Sequence, residues 1–432
     1  MCNICEQYAA AGFFLKPQIE LIPELDVYLD FSNGPVRFLE IGSGPHSRVG
    51  AHSSRGQIDH HCIDIKADDY HDYVKSHGLD VAPKYIRPTQ GDVYALDNLF
   101  PSASFHLVFS MNLLDELDDP LAALEQMINV CRSDGTIVIY NILDRKKEQP
   151  TSFAKWSFRI EDKSIMMTRE DRSVSLSSYI ESKGLHVSRQ CTDRFLKMRI
   201  HMPEEGYENL RLSWEQGRHE TERFWRSVIK PDSKYHAEWM ARMDPEKEFD
   251  SALLTHVRNF NNNKLAVLDV GAGPCTSLGY KADGIEIRLT ASDYYANLFS
   301  EILEQNKITP PVKTVFADAL HLTQSFSENT FDIVYSRNAL DHVLDPIKGL
   351  SEMIKVAKVG GLVCVYGHAN EGEREFYQGF HQWNFAVENG DLVIWRPYRK
   401  YYVSELFRES VTMGTVWGVG SYYAVLYKIK SL

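Results

Sequence analysis

Two stretches of the chain carry the same short motifs in the same order, and a repeat of that length requires two like domains. Around Leu39-Glu40-Ile41-Gly42-Ser43-Gly44-Pro45 and again around Leu268-Asp269-Val270-Gly271-Ala272-Gly273-Pro274, an apolar run ends at an acidic residue and enters a glycine-bearing turn. An acidic strand end follows at Asp64 and Asp293, an Asp beside small residues at Asp92 and Asp318, and Ser-x-Asn-x-Leu-Asp at Ser110–Asp115 and Ser336–Asp341. A constant offset of 226 residues separates Asp92 from Asp318, Asp115 from Asp341 and Tyr140 from Tyr366.

A chain of 432 residues suits two or three domains, each able to bury its own core. Its net charge of -12 argues against a dedicated nucleic-acid binder, whose affinity rests on neutralising phosphates. No apolar run approaches the roughly 20 residues needed to span a bilayer, so no stable membrane insertion is expected. Met1-Cys2-Asn3-Ile4-Cys5-Glu6 lacks the basic and apolar regions of a signal peptide, and a cytoplasmic location is the default expectation. Seven scattered cysteines make no disulfide framework. Cys2 and Cys5 form a C-x-x-C without a second pair at ligand spacing, so no metal site is expected.

Apolar runs alternate with amphipathic ones. In the second half, strands are expected at Ala266–Val270, Ile285–Ala291, Val312–Phe316, Phe331–Ser336 and Leu362–Tyr366, with helices at Tyr295–Gln305 and Pro346–Val356. The first half repeats this from Val36–Ile41 through Phe105–Ser110 to Thr136–Tyr140. Strand and helix in alternation imply a doubly wound α/β fold with parallel pairing and right-handed crossovers. The run from Asp391 to Lys428 alternates aromatic and polar residues, as expected for the last strands of the second sheet. Between the copies, Tyr207 to Phe260 places Trp214, Trp225 and Trp239 at helical spacing and reads as a helical cap rather than a linker. The expected domains are 1–203, a helical connector 204–263, and 264–432.

In such a sheet the ligand crevice lies at the carboxyl ends of the strands, where the winding reverses, and every repeated motif falls there. The glycines allow close backbone approach to a ligand, and an acid at the end of the second strand suits the hydroxyls of a ribose. The turn is not Gly-x-Gly-x-x-Gly: Thr276 stands three residues after Gly273, and Ser47 three after Gly44. That weakens a dinucleotide cradle, and with it an oxidoreductase. An Asp followed by a small residue, as at Asp318-Ala319, offers an acceptor for an adenine amine instead.

With these motifs the chain resembles class I S-adenosylmethionine-dependent methyltransferases, over Val267–Tyr366 and nearly as well over Arg37–Tyr140. The resemblance implies two Rossmann-like domains that use S-adenosylmethionine. In the second, Asp269, Gly271, Gly273 and Pro274 would flank the amino-acid part of the cofactor, Asp293 and Tyr294 its nucleoside, Asp318 and Ala319 its adenine, with Ser336 and Asn338 close by. Glu40, Gly42, Gly44, Asp64 and Asp92 are the matching set in the first.

Three histidines stand where acceptor chemistry would occur: His342 beside Asp341, His368 after the last parallel strand, and His381 in Phe380-His381-Gln382-Trp383. Histidine accepts a proton near neutral pH, and a neighbouring carboxylate tunes it. His342 and His368 lead as candidate bases. The polar and aromatic stretch Asn370–Phe385 resembles bacterial sugar and surface-glycan methyltransferases, implying a polyhydroxylated acceptor; a small natural product or lipid-linked intermediate is the rival. The first copy carries Glu116 at the position of His342, Ala154 at that of His381 and, on the same reading, Asn141 at that of His368. That domain is either a degenerate, cofactor-binding scaffold or a second enzyme with Glu116 or Asp115 as base. Tyr235, Trp239 and Arg242 of the connector are candidates for cofactor or acceptor contacts.

Overall fold

The computed structural model describes residues 5, 6, 8, 18–32, 34–78, 86–148, 153–170, 172–203, 207–257 and 263–432. The chain divides into two compact units, Met1–Leu212 and Ser213–Leu432. Each is built on a seven-stranded sheet.

In the first unit the sheet takes β1 (Val36–Ile41), β2 (Ile58–Asp64), β3 (Thr89–Gln90), β4 (Phe105–Met111) and β5 (Cys131–Ile142) in parallel. A separate three-stranded sheet follows, β6 (Ser157–Glu161), β7 (Ser164–Arg169) and β8 (Arg172–Ser175). Then β9 (His186–Cys191) and β10 (Phe195–His201) close the main sheet in antiparallel pairing, in the spatial order β3-β2-β1-β4-β5-β10-β9. The second unit repeats this with β11 (Lys264–Val270), β12 (Glu286–Asp293), β13 (Val315–Phe316), β14 (Phe331–Arg337), β15 (Ala357–His368), a small sheet of β16 (Asn384–Glu388), β17 (Asp391–Arg396) and β18 (Arg399–Tyr402), and finally β19 (Val411–Gly418) and β20 (Ser421–Lys428).

The central strands read as near-continuous apolar runs because both faces of the sheet are covered. Leu268 and Val270 of β11 face one core with Leu350, Met353 and Ile354 of the helix Pro346–Val356. Leu265 and Val267 face the other, with Phe249 and Leu253. That helix starts where an Asp-Pro pair predicts: Asp345 caps it by accepting from Lys348 N at 2.9 Å, and Pro346 takes the first turn, where no amide donor is needed. Asp119 and Pro120 start the helix Pro120–Val130 of the first unit in the same way.

Two expectations need correcting. The run after Asp391 does not simply finish the main sheet, since β17 pairs with β16 and β18 with β17 in the small sheet, and only β19 and β20 return to the main one. Nor is the pairing parallel throughout, because β19 and β20 are joined by a short hairpin at Val419-Gly420, which only antiparallel strands accept. The strand expected from Val312 shortens to Val315–Phe316; Pro310 and Pro311 lack amide donors, and the Thr314 hydroxyl donates to Gly273 O at 2.8 Å. No described helix is long and apolar enough to cross a membrane.

Candidate active site

In the second unit β11 lies between β12 and β14, so the winding reverses at its carboxyl end. A cavity of about 900 Å³ opens there. Its floor is the glycine turn. Gly271 and Gly273 have φ of +74° and +67°, and a Cβ on either would lie 2.3 Å from Ala339 Cβ or 2.6 Å from Trp225 Cζ2. Only glycine meets both demands at once.

Asp293 holds the turn. Its Oδ2 accepts from Gly273 N at 3.0 Å and its Oδ1 from Tyr295 N at 2.8 Å. Burial pushes its carboxyl up to about 6, against the lowering effect of those two amides. Asp269 behaves alike: burial raises it to about 6, while the Thr276 hydroxyl donated to its Oδ2 opposes the rise. Thr276, where a dinucleotide fingerprint has glycine, is thus fully buried and ties the loop to the strand.

Asp318 lines the cavity and caps a short turn, accepting from Leu320 N at 2.8 Å and from His321 Nδ1 at 3.0 Å. Ala319, Ser336 and Tyr294 line the cavity as well, with the Ser336 hydroxyl buried and without a hydrogen-bond partner among the described residues. Asn338 is in a left-handed conformation (φ +48°) and uses its Oδ1 to accept from His368 N at 3.1 Å. Pro274 is buried in the turn and does not line the cavity.

The helix Tyr207–Val228 and the helix His236–Met243 roof the cavity. Tyr235, Trp239 and Arg242 line it, together with Trp214 and Trp225, which their periodicity alone placed only in a helical cap. Trp225 stands over Gly273, and Arg242 stacks over Trp225 at 5.9 Å. Trp214 donates its indole N–H to His342 O and leans on Phe380 at 5.3 Å. Gly217 makes that approach possible, since a Cβ there would lie 2.6 Å from Phe380 Cδ1.

At the cavity wall Asp341 gathers two of the three histidines. Its Oδ2 is 3.0 Å from His381 Nδ1 and 3.4 Å from His342 Nε2. Burial raises the Asp341 carboxyl, but the imidazoles of His342 and His381 outweigh it and hold the group below its usual range. For His342 burial dominates over Asp341 and lowers the imidazole to about 4, so it is neutral at pH 7. Its side chain is 35% accessible, and that surface faces the cavity rather than bulk water. Burial lowers His381 too, but its hydrogen bond to Asp341 and the nearby Glu371, 3.9 Å away, prevail and raise it. His368 lines the cavity with an exposed side chain and is not part of this group.

The ligand-type atoms of Asp341, His342 and His381 lie within 4.8 Å of one another and have the composition of a divalent-metal site; Glu40, His60 and Cys62 form a second such set in the first unit. Neither has a sequence spacing that announces it. Of the Cys2/Cys5 pair, Cys2 lies outside the described residues, and Cys5 is buried with its thiol on Asp69 O at 3.7 Å.

The first unit keeps the glycine turn and changes the surroundings of the matching Asp. Gly42 and Gly44 have φ of +69° and +73°, and Asp64 accepts from Gly44 N at 2.9 Å and Lys66 N at 2.8 Å. Asp92 caps its turn through Tyr94 N at 2.9 Å. Where the histidines would be, Arg145 binds both Asp115, at 3.2 Å, and Glu116, and Asn141 donates to Asp115 at 3.0 Å. Asn112 Oδ1 accepts from Ile142 N just as Asn338 Oδ1 accepts from His368 N, so Ile142, not Asn141, stands at the position of His368.

Residues 39–139 and 268–365 each match the family described as Methyltransferase domain. Over 105 residues the chain is 31% identical to phosphoethanolamine N-methyltransferase 2 of Caenorhabditis elegans, covering 23% of this chain and 24% of that protein. It is 31% identical over 99 residues to phosphoethanolamine N-methyltransferase 1 of Triticum aestivum, covering 23% and 20%. The chain thus spans about a quarter or less of the length of these curated relatives. Among solved structures, phosphoethanolamine N-methyltransferase 2 of Haemonchus contortus aligns at 15% identity over 81% of this chain and 77% of that one, with a TM-score of 0.27. An S-adenosylmethionine-dependent methyltransferase from Aquifex aeolicus aligns at 19% identity over 46% and 95%, with a TM-score of 0.29. Likenesses this loose bear on neither activity nor substrate.

Each unit carries a match to the methyltransferase domain, which implies S-adenosylmethionine as the cofactor. The second unit fits it: a glycine floor that a Cβ would obstruct, a carboxylate held at the second strand end, and a cavity large enough for a nucleoside with its amino-acid arm.

Proposed function

We propose that the second domain transfers a methyl group from S-adenosylmethionine to a hydroxyl of a sugar or glycan, with His342 as the base. The observation that carries this reading is the convergence of His342 and His381 on the Asp341 carboxylate at the cavity wall. Gly271, Gly273, Asp269 and Asp293 would hold the amino-acid and ribose parts of the cofactor, with Asp318, Ala319 and Tyr294 about the adenine. When bound, the cofactor supplies a methyl group on a cationic sulfonium.

The rest falls to the protein. A hydroxyl becomes acidic only as its oxygen bonds to carbon, so the base need not be strong, but it must be neutral and in place. His342 meets that condition at pH 7, and Asp341 stands ready to stabilise the imidazolium that proton uptake creates. The roof of Trp214, Trp225 and Trp239 excludes water and offers aromatic faces on which a sugar ring stacks. Glu371 and Glu375, also on the cavity wall, would accept from further hydroxyls.

A second reading has its own support. The named relatives are phosphoethanolamine N-methyltransferases, and a wall of carboxylates and aromatic rings also suits an amine. For the first domain we favour a cofactor-binding scaffold over a second enzyme, because Arg145 occupies both Asp115 and Glu116.

The test is a mass-spectrometric screen for a gain of one methyl on sugars, nucleotide sugars, short glycans and ethanolamine phosphates, with titration calorimetry of S-adenosylmethionine on the full chain. Methylation confined to the amines would overturn the hydroxyl reading. Failure to bind the cofactor would overturn both.

A further inference from the structure

We propose that the first domain binds a transition-metal ion, zinc by its donor set, between Glu40, His60 and Cys62. In the register of β1 and β2, Glu40 pairs with Cys62 and Phe38 with His60. His60 and Cys62, two residues apart, therefore share one face of β2, and Glu40 reaches them from the neighbouring strand.

Two of the three separations approach those of a coordination shell. His60 Nε2 is 3.3 Å and Cys62 Sγ 3.9 Å from the same oxygen, Glu40 Oε2, and all three donor atoms lie within 4.8 Å of one another. Donors at about 2.0–2.3 Å from a tetrahedral zinc ion stand roughly 3.3–3.8 Å apart. Direct N–H···O hydrogen bonds would instead draw nitrogen and oxygen to about 2.7–3.2 Å. The other oxygen of Glu40 is already engaged, accepting from Arg48 N at 3.1 Å, which aims Oε2 at the pair.

His60 supplies an independent observation. Its side chain is 1% exposed, and neither ring nitrogen has a hydrogen-bond partner among the described residues. A buried imidazole left so is costly unless something else binds it. Phe38 stacks on the ring at 4.3 Å and fixes its orientation.

The second domain shows what this position needs when there is no such site. In the matching register of β11 and β12, Asp269 pairs with Ala291 and Val267 with Leu289. Two apolar residues thus stand where the first domain has a thiol and an imidazole, and Asp269 spends its carboxylate on Thr276.

Coordination replaces the S–H bond of Cys62 with a sulfur–metal bond and releases its proton to solvent, while Glu40 binds as carboxylate and His60 as neutral imidazole. Water or the adjacent Ser43 hydroxyl completes the shell. Such an ion would tie β1 to β2 two residues before Gly42 and Asp64, stiffening the first cofactor turn.

Cobalt titration of the intact, metal-stripped chain provides the test. It should take up about one ion per chain at this site, with a thiolate-to-cobalt charge-transfer band and the visible bands of a four-coordinate ion. The band should vanish in Cys62→Ala and weaken in His60→Leu, which install the residues of the second domain, and persist in His381→Ala. If the folded, unmodified chain binds no cobalt, or shows bands without thiolate character, the proposal fails. That titration does not depend on the variants folding.

Discussion

His381 Nδ1 lies 3.0 Å from Asp341 Oδ2, across 40 residues of chain, and that single oxygen also faces His342. If His342 takes the acceptor proton, His342→Ala lowers turnover by about 10²–10⁴-fold with little change in cofactor affinity. His381→Ala, acting through Asp341, lowers it by about tenfold, and His368→Ala by less. Methyl transfer from labelled cofactor measures all three, and full turnover in His342→Ala removes it as the base.

The acid limb of the rate should follow His342 and fall with a midpoint near pH 4 rather than the ordinary histidine range. A limb centred near 6.5 would assign the base elsewhere.

Stability carries two opposite signatures between pH 4 and 6. Asp293 titrates near 6 when folded, above its unfolded value of about 3.9, so the native state binds more protons there and Asp293 costs stability as pH rises. His342 titrates near 4 when folded, below its unfolded value of about 6.5, so it costs stability as pH falls. Urea midpoints in this window should therefore rise more steeply with pH in Asp293→Asn than in the parent, and less steeply in His342→Ala. Parallel curves for all three would refute the assignment.

Gly284 and Gly271 share a φ near +73°, but a Cβ on Gly284 meets nothing within 4 Å whereas one on Gly271 meets Ala339 Cβ at 2.3 Å. Gly284→Ala should cost only backbone strain, about 1–2 kcal/mol. Gly271→Ala should cost more and weaken cofactor binding at least tenfold, by about 1.4 kcal/mol or more. Ala339→Gly should restore part of the lost stability, as thermal unfolding of the double variant reports.

Arg145 is the counter-charge of Asp115, whose side chain is fully buried and whose carboxyl burial has already pushed up to about 6 despite the guanidinium. Arg145→Met should destabilise the first domain by about 3–5 kcal/mol at pH 7, the cost of an orphaned buried charge. Without the guanidinium the carboxyl rises further, so the deficit should shrink as pH falls toward 5. Equal deficits at both pH values would show that packing, not charge, is what Arg145 contributes.

The sequence alone determined the two domains and their glycine turns. Each is a local matter: a glycine pair after an apolar run at a strand end acts within a few residues. The α/β fold was therefore legible in each copy, and Gly271, Gly273, Asp293 and Asp318 all came to one cavity. Tertiary structure decided which histidines meet. His342 and His381 are brought together on Asp341 by a loop that leaves β15, whereas His368, nearer to His342 in sequence, lines the cavity apart from them with its amide on Asn338. Tertiary structure also set Glu40, His60 and Cys62 side by side, because strand register brings together residues that no motif spacing links.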